Sequence, residues 1–368
     1  MKVSLITLHR ITNFGSLLQT YATQYYIESL GHEVEVIDFV PDGITFKRAV
    51  FPKHNGSTVK KLIKALPLAL VNGIQFSMTN RFLKKHIHIT KKRYKSYAQL
   101  EKAKISADVF ISGSDQVWNT QNNNPEDDLK AYYLCFAPEN KRKIAYAGSF
   151  GKTVFSEAEK EKIKGWLDRY QAISVREDTA LNTLEELKIF NGIHVVDPTM
   201  LLEKEDWIKF CGKKKPRQDY VFVYNLNRNK QLEEFAKALA EQKKLKLINF
   251  ADTFEFIKGA KNRLFNSPYD FINYIANATY VVTDSFHGTA FSLNFEKQVV
   301  SFAAPKYNSR LESILRETNL IDKRFVNSVD EAFKAIDEPI DYAIISPILR
   351  EHKEKSKNFL RKYLCEDE

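Results

Sequence analysis

Residues 2–41 read KVSLITLHRITNFGSLLQTYATQYYIESLGHEVEVIDFVP, and this stretch decides the fold. KVSLITL is a short apolar run typical of a strand. SLLQTYATQYYIESLG has apolar residues three and four positions apart, as in an amphipathic helix ended by Gly31. HEVEVIDFVP alternates with period two and stops at Pro41, which indicates a second strand. A strand, loop, helix and strand in this order predict a parallel pair within a doubly wound α/β sheet.

The rest of the chain repeats this alternation. Segments such as ADVFISGSDQVWN and KRKIAYAGSFG predict further strands, and a second set begins with DYVFVYNL. A chain of 368 residues suits two domains of roughly 150–200 residues each. We therefore expect an N-terminal domain at 1–200 with an insertion at 43–100, a C-terminal domain at 201–340, and a charged amphipathic helix at 341–368 that packs back across a cleft.

Composition excludes several classes of protein. Hydrophobic residues make up 43% and charged residues 28%, which is typical of a folded protein and not of a disordered one. The longest apolar run is about seven residues, against the roughly 20 needed to span a membrane, and the N-terminus resembles a first strand more than a signal peptide. Cys135, Cys211 and Cys365 are odd in number and lie outside any CxxC spacing, so a cytoplasmic location is expected.

The net charge of +10 comes from one segment. Residues 43–100 contain 13 Lys/Arg and no Asp or Glu, interleaved with Leu, Ile, Phe and Tyr. Such a segment could lie on an anionic membrane surface, or it could be a solvated face without a partner. Nucleic acid is the third reading, but no zinc-finger, helix-turn-helix or RNP signature supports it, so no nucleic-acid partner is expected.

Ligands of open α/β sheets bind beyond the carboxyl ends of the strands, so polar groups in those loops are site candidates. Asn13 and Gly15 precede the first helix, whose N-terminus favours an anion; a simple N-cap is the alternative. Asp115 and Gln116 follow a buried strand and could accept hydrogen bonds from sugar hydroxyls, and Trp118 could stack on a sugar face. A turn with an N-cap is the alternative for this loop.

Basic side chains follow other predicted strands. Arg176 ends the strand AISV, and its planar guanidinium suits a phosphate or carboxylate; an ion pair with Glu177 and Asp178 is the alternative. Lys306 and Arg310 follow the last clear strand and could also meet an anion, or could be solvated at a helix start.

The stretch DSFHGT at 284–289 is the most informative loop. Asp284, Ser285 and His287 crowd a predicted strand-to-helix turn, and a histidine there could move protons near neutral pH. A hydrogen-bonded core histidine is the alternative. No G-x-S-x-G elbow accompanies Ser285 and His287, so they are not a hydrolase pair. His86 and His88 have no carboxylate near them in sequence, and no metal site is predicted.

Taken in order, the motifs TNFGSLLQTYA, ISGSDQVWN, SVRED, VVDPTMLL, TDSFHGTAFSL and YNSRLESIL resemble those of the polysaccharide pyruvyl transferase family. They run from residue 12 to about residue 316 and so cover most of the chain. The resemblance implies an α/β fold of two Rossmann-like domains that face a central cleft, similar to two-domain glycosyltransferases. It also implies transfer of the carboxyethylidene group of phosphoenolpyruvate onto two hydroxyls of a sugar, galactose-type sugars being familiar acceptors.

The resemblance assigns roles to particular residues. The family histidine falls on His287, and the strand-end arginine of the family falls on Arg176. For the chemistry itself we expect His287 to donate the proton and His287 or Asp115 to take the protons of the sugar hydroxyls. Many members carry an arginine two positions before the histidine, where this sequence has Ser285, so that Arg310 or Lys306 could replace that contact. The implied residues divide into those that bind the donor (Arg176, Asn13, Gly15, Ser285, Gly288, Lys306 and Arg310) and those that bind the acceptor (Asp115, Gln116, Trp118 and Asp284).

The implied chemistry requires no metal and no cofactor, since phosphoenolpyruvate is a co-substrate. The acceptor is a surface polysaccharide or its lipid-linked precursor, which would give the basic segment at 43–100 a role at the inner membrane face. Two rival readings stay open. One is a glycosyltransferase of the same architecture that uses sugar nucleotides, and the other is a non-catalytic basic protein of the membrane surface.

Overall fold

The protein is described from a computed structural model, which covers residues 1–41, 59–120, 126–212, 218–251, 254–305 and 308–365. The chain divides into two compact units. The first comprises Met1–Leu201 together with His352–Glu368, and the second comprises Leu202–Glu351. The C-terminal helix therefore contributes residues to both units.

The first unit is built on a parallel sheet. In the described residues this sheet has six strands in the order β2-β1-β3-β4-β5-β6. The strand order reverses between β1 and β3, which is the position where open sheets of this kind bind ligands. The strands are β1 (Lys2–Ile6), β2 (Glu33–Val36), β3 (Val109–Ser112), β4 (Arg142–Gly148), β5 (Ala172–Val175) and β6 (Ile193–His194).

Helices connect these strands. The first begins after Asn13, whose side chain caps its N-terminus, and it ends just before Gly31, which has a φ of +87°. Glycine adopts that left-handed conformation at little cost, so the predicted helix end is confirmed. The helices are α1 (Phe14–Ser29), α2 (Val59–His86), α3 (Tyr97–Glu101), α4 (Glu126–Tyr132), α5 (Glu157–Leu167), α6 (Asp178–Glu186) and a 3₁₀ turn (Pro198–Met200).

The basic segment at 43–100 is partly described. Residues 42–58 lie outside the described residues, and α2 occupies much of the remainder. After α2 the chain runs beside β2, because Val36 forms a bridge with Ile89, and Phe39 forms one with Tyr94. These bridges extend the sheet edge beyond β2 and fix the backbone of the segment that carries Arg93.

The second unit repeats the design. Its sheet has six parallel strands within the described residues, in the order β12-β11-β10-β7-β8-β9, which reverses between β10 and β7. The strands are β7 (Tyr220–Tyr224), β8 (Lys246–Phe250), β9 (Lys261–Arg263), β10 (Tyr280–Thr283), β11 (Gln298–Phe302) and β12 (Phe325–Val326). The helices are α7 (Lys204–Cys211), α8 (Lys230–Gln242), α9 (Pro268–Ala276), α10 (Phe286–Asn294), α11 (Ser309–Glu317), α12 (Ile321–Arg324), α13 (Val329–Asp337) and α14 (Tyr342–Cys365).

Helix α14 is held in each unit by hydrogen bonds between side chains and backbone groups. In the second unit, the Tyr342 hydroxyl donates to the Lys297 carbonyl oxygen at 2.5 Å. In the first unit, the Val196 N–H donates to Ser356 Oγ at 2.9 Å, and Arg142 donates to the Tyr363 carbonyl oxygen at 3.0 Å. Across the described parts of the chain, no helix combines the length and the apolar character that a membrane span requires.

Candidate functional site

Asp115 lies at the strand-order reversal of the first sheet, directly after β3. Its side chain is buried, and its Oδ2 accepts a hydrogen bond from Ser16 Oγ at 2.5 Å. Its Oδ1 accepts from the backbone N–H of Gln116 at 2.9 Å. Helix α1 supplies Ser16 and the β3 loop supplies Asp115, so the fold brings together two polar groups that are 99 positions apart in sequence.

The backbone at this edge of the sheet is strained. Asp115 has a φ of +74° and Ala147, near the end of β4, has a φ of +53°. Left-handed conformations are costly for residues other than glycine, although aspartate tolerates them better than most. Asp115 also forms a bridge with Gly148. Strain of this kind concentrates at functional sites, so the observation favours a ligand-binding role for the Asp115 loop.

Several buried polar atoms near this edge lack a hydrogen-bond partner among the described residues, and two of them belong to residues next to the Asp115 bridge. They are Gln116 Nε2 and Ser149 Oγ. Buried polar groups are nearly always satisfied, so both atoms are candidates to bind a ligand or water. Ser149 belongs to the loop that follows β4 and is adjacent to the Asp115 bridge, since its carbonyl oxygen accepts from the Trp118 N–H at 3.1 Å. Sequence reasoning selected Gln116 but missed Ser149.

Arg176 lies in a buried network of carboxylates. Its side chain is 1% exposed, and its guanidinium contacts Asp197 at 2.9 Å, Glu177 at 3.3 Å and Asp115 at 3.8 Å. Burial alone lowers the pKa of the Arg176 guanidinium, but the three carboxylates outweigh burial and raise the pKa above its ordinary value. The ion pair with Glu177, part of the alternative reading, is therefore present, and Asp197 and Asp115 join it from positions remote in sequence.

This geometry favours a supporting role for Arg176, and its predicted role in donor binding stays a prediction. A guanidinium that is enclosed and outnumbered by carboxylates has little to offer a phosphate. It instead holds Asp115 from one side while Ser16 holds it from the other. Arg176 Nη1 also reaches Ser114 Oγ at 3.4 Å, which joins the loop after β3 to the network.

Trp118 is a core residue, which favours a packing role over the predicted stacking on a sugar. It is 0% exposed. Its ring stacks on Tyr133 with centroids 5.3 Å apart and planes 8° apart, and it also contacts Phe150 and Tyr170. A Cβ placed on Gly148 would lie 2.6 Å from the Trp118 ring. The Trp118 ring therefore packs against the end of β4 and supports the loops after β3 and β4.

Asn13 and Gly15 form the N-cap of α1. The Asn13 side chain accepts from the backbone N–H of Gly15 at 2.8 Å and of Ser16 at 3.4 Å. Because these helix-end N–H groups are already paired, the geometry favours the structural alternative over an anion site at this helix end.

His287 lies in the first turn of α10, at the carboxyl edge of the second sheet. Its side chain is buried and its ring meets Phe286 edge-on at 5.0 Å. Ser285 is the N-cap and accepts from the Gly288 N–H at 3.2 Å. Gly288 permits close packing of α10 on β10, because a Cβ there would lie 2.6 Å from Thr283 Oγ1. Ser285 and Gly288 therefore fix the position of the imidazole.

Asp284 clamps the loop that follows β7. Its Oδ1 accepts from the Leu226 N–H at 2.7 Å, and its Oδ2 accepts from the N–H and the side-chain amide of Asn227, both at 2.9 Å. Burial raises the pKa of Asp284 despite the opposing effect of these hydrogen bonds. These contacts give Asp284 an organising role at the strand-order reversal of the second sheet, and its predicted contact with the acceptor stays a prediction.

The remaining predicted donor contacts are Arg310 and Lys306. Arg310 is half-buried in the first turn of α11, and Lys306 lies outside the described residues. His287 and Arg310 belong to the second unit, whereas Asp115 and Arg176 belong to the first. No cluster of three or more His, Cys, Asp or Glu arranged for a metal occurs among the residues that the structure describes.

Sequence reasoning missed one charged cluster at the carboxyl edge of the first sheet. Asp38, two residues after β2, is contacted by His9, Arg10 and Arg93. The sequence signal existed, since His9 and Arg10 lie in the loop after the first strand, where ligands of such sheets bind.

Comparison with known families identifies the class. A family model described as polysaccharide pyruvyl transferase matches residues 13–304. The chain belongs to the polysaccharide pyruvyl transferase family, and the resemblance seen in the sequence is confirmed. Membership makes the protein a transferase of polysaccharide biosynthesis with a saccharide acceptor. Comparison with curated proteins gives no match.

Solved structures support the fold. The UDP-GlcNAc 2-epimerase of Neisseria meningitidis bound to UDP-GlcNAc is 7% identical, with full coverage of both chains (100% each) and a TM-score of 0.52. The S. aureus MnaA–UDP co-structure is 13% identical over 99% of this chain and 96% of that chain, with a TM-score of 0.51. At these identities the likeness shows the fold alone, and it confirms an α/β architecture of two Rossmann-like domains.

Proposed function

We propose that the protein is a ketal pyruvyl transferase that moves the carboxyethylidene group of phosphoenolpyruvate onto two hydroxyls of a galactose-type sugar. The sugar belongs to a surface polysaccharide or to its lipid-linked precursor. The observation that carries the proposal is the family match over residues 13–304. The buried carboxylate of Asp115 and the imidazole of His287, each at the strand-order reversal of its own sheet, supply the acid–base groups.

His287 is proposed to protonate the methylene carbon of phosphoenolpyruvate, which makes the neighbouring carbon an electrophilic oxocarbenium ion. A sugar hydroxyl attacks that carbon and loses its proton to Asp115. Phosphate then leaves with the electron pair of its bond to that carbon, which regenerates an oxocarbenium ion, and it takes up the proton held by Asp115. The second hydroxyl attacks the cation and closes the ketal, and its proton passes to His287, which restores the imidazolium. Ser16 and Arg176 act on Asp115 by holding its carboxylate in place. General acid–base catalysis of this kind contributes about 10²–10⁴-fold in rate.

The acceptor is proposed to meet the Asp115 loop. Asp115 and Gln116 offer hydrogen-bonding groups for sugar hydroxyls, and the buried Ser149 hydroxyl joins them. The donor is proposed to meet the first turn of α10, with Arg310 or Lys306 in place of the arginine that many family members carry at the Ser285 position. Arg176 is assigned to the support of Asp115.

The direct experiment incubates the protein with phosphoenolpyruvate and a panel of galactosides, both free and lipid-linked. Pyruvyl transfer adds C₃H₂O₂, about 70 Da, to the acceptor and releases one phosphate, and both are measured. Phosphate release without a mass increase on any acceptor would show hydrolysis in place of transfer and would contradict the proposal.

A matched pair of variants tests the role of His287. His287→Gln should lower turnover by about 10²–10⁴-fold while the far-UV circular dichroism spectrum is unchanged. His352→Gln, on α14, is the control and should retain full turnover. Near-normal rates in His287→Gln would remove the imidazole from the mechanism.

The basic segment is proposed to hold the protein at an anionic membrane surface. Helix α2 exposes Leu70, Arg81, Lys84 and Lys85, an apolar and cationic combination suited to anionic headgroups. Sedimentation with vesicles that contain phosphatidylglycerol should show binding that weakens as salt rises. Absence of binding, or binding that ignores salt, would contradict this part of the proposal.

A sugar-nucleotide glycosyltransferase is the second candidate, because the structures that share the fold include proteins bound to UDP and UDP-GlcNAc. The same mass measurement separates the two. Glycosyl transfer would add the mass of a sugar and would require a nucleotide sugar, whereas pyruvyl transfer requires phosphoenolpyruvate.

A further inference from the structure

Asp38 is the centre of a cationic cluster at the carboxyl edge of the first sheet. Its Oδ1 accepts from His9 Nε2 at 3.0 Å and from Arg10 Nε at 2.5 Å. Its Oδ2 accepts from Arg10 Nη2 at 2.8 Å and from Arg93 Nε at 3.0 Å. One buried carboxylate is thus contacted by four nitrogen atoms from two arginines and one histidine.

The cluster carries more positive than negative charge among the described residues. Two guanidiniums face one carboxylate. His9 lies beside them, with its Nδ1 3.1 Å from the Thr7 carbonyl oxygen. Like charges held this close repel one another, and an additional anion would relieve that repulsion.

The backbone around the cluster is held rigidly. The Tyr94 N–H donates to the Asp38 carbonyl oxygen at 2.8 Å. The Asp38 N–H donates to Thr90 Oγ1 at 2.9 Å. Both the N–H and the carbonyl group of Asp38 therefore bind the segment that carries Arg93. These bonds hold the cluster in place before any ligand arrives.

Arg93 is the member that faces outward. Its side chain is 50% exposed, and Asp38 engages only its Nε, so no described contact uses its two terminal nitrogens. Those nitrogens form the planar fork that binds a phosphate in bidentate fashion. Because the Asp38 carboxylate accepts a hydrogen bond from Arg93 Nε, it fixes the direction in which the two terminal nitrogens of Arg93 point.

A basic depression lies beside the cluster. Arg10 Nη1 donates to Asn80 Oδ1 at 2.6 Å. Asn80 in turn lines an open cavity of about 460 Å³ together with Ser77, Arg81, Lys84 and Lys85 of α2. Asn80 therefore connects the Asp38 cluster to a surface rich in cations, which has room for a ligand that bears a phosphate.

We infer that Arg93, oriented by Asp38 and supported by Arg10, binds a phosphate group on a small ligand. This site lies at the ends of β1 and β2 and is separate from the residues assigned to catalysis. Two sources share the chemistry: the phosphate of phosphoenolpyruvate, and a phosphate carried by a saccharide. The site does not depend on pyruvyl transfer, since binding is measured without turnover.

The test measures binding of inorganic phosphate, phosphoenolpyruvate and galactose 1-phosphate by isothermal titration calorimetry. Arg93→Gln removes the fork, and Lys91→Gln removes an exposed charge two residues away without touching Asp38. At least one probe should bind the unaltered protein and bind Arg93→Gln at least about tenfold more weakly, with Lys91→Gln within about twofold of the unaltered protein. Arg93→Lys, which keeps the charge and loses the fork, should fall between them.

The pattern across probes identifies the source. A loss confined to phosphoenolpyruvate assigns the site to the donor, and a loss confined to galactose 1-phosphate assigns it to a phosphorylated saccharide. Equal losses in Arg93→Gln and Lys91→Gln would show a diffuse electrostatic effect and would overturn the inference. So would unchanged affinity in a folded Arg93→Gln, or absence of binding by every probe to the unaltered protein.

Discussion

Ser16 donates a hydrogen bond from Oγ to Oδ2 of Asp115 at 2.5 Å, and this bond ties the first helix to the loop after β3. Hydrogen bonds to charged groups contribute about 1.5–3 kcal/mol. If Asp115 is the base, Ser16→Ala should lower kcat by roughly tenfold or more, with a smaller effect on KM for phosphoenolpyruvate. Ser29→Ala at the other end of α1 is the control and should leave kcat unchanged. Equal kcat in both variants would show that Ser16 does not orient the base.

Asp115→Asn tests the base itself. The amide has the shape of the carboxylate but cannot take a proton, so kcat should fall by about 10²–10⁴-fold. Asp108→Asn is the matched control, because Asp108 precedes β3 and lies at the opposite end of the strand from Asp115. Steady-state phosphate release measures both. If kcat falls by less than about threefold in Asp115→Asn, Asp115 is not the base that takes the protons of the sugar hydroxyls.

Trp118 is expected to act through stability alone. Its ring is enclosed by Tyr133, Phe150 and Tyr170, and truncation of a buried tryptophan costs about 3–5 kcal/mol. Trp118→Ala should therefore lower the free energy of unfolding, measured in urea, by that amount. Trp118→Phe should remain folded with an unaltered KM for the acceptor. If Trp118→Phe is stable but has a raised KM for the acceptor, the Trp118 ring takes part in binding the sugar.

The fold could be read from the sequence because its signals are local. Parallel strands buried on both faces appear as short apolar runs, and helix ends carry recognisable caps. Gly31, for example, was expected to end the first helix, and it directly follows the C-cap of α1 with a φ of +87°. The α/β class was therefore predictable, although residues 42–58 of the basic segment lie outside the described residues.

The site could be read only in part, because its contacts are remote in sequence. The strand-end rule selected loops at the carboxyl edges of the two sheets, but it could not show that Arg176 pairs with Asp197 and Asp115. Nor could spacing distinguish an aromatic side chain that meets a ligand from one, such as Trp118, that packs in the core. The Asp38 cluster was missed for the same reason, since Arg93 lies 55 positions from its carboxylate.

Glu159 should make stability depend on pH in acid. Burial raises its pKa, but hydrogen bonds from Lys152, Ser156 and Thr120 outweigh burial and lower the pKa to about 2. A depressed folded pKa stabilises the native state above the unfolded value, about 4.5, and that stabilisation disappears as the pH falls towards 2. Glu159→Gln should therefore lower Tm at pH 6, and the difference from the unaltered protein should shrink between pH 4.5 and 3.

The control for Glu159→Gln is Glu157→Gln. Glu157 lies in the same first turn of α5, and its side chain is exposed. Glu157→Gln should change Tm little at either pH. If the Tm difference for Glu159→Gln is the same at pH 6 and pH 3, the ionised carboxylate of Glu159, with its hydrogen bonds from Lys152 and Ser156, does not stabilise the folded state.

Asp38→Asn should destabilise the fold about as much as Trp118→Ala. It leaves Arg10, His9 and Arg93 facing one another without their shared carboxylate, and removal of one partner from a buried ion pair costs about 3–5 kcal/mol. Urea unfolding at pH 7 measures the loss. Asp127→Asn breaks an exposed pair with Lys130 and should cost less than about 1 kcal/mol.

The pH dependence of the same variant gives an independent check. Burial would raise the pKa of Asp38, but its hydrogen bonds from His9 and Arg10 lower it well below the ordinary value. The stabilisation by Asp38 is therefore complete above about pH 4 and declines as the pH falls further. The unaltered protein should lose stability below that pH more steeply than Asp38→Asn does. Parallel curves for the two proteins would mean that the charge on Asp38 contributes nothing, and that shape alone holds β1, β2 and the segment of Arg93 together.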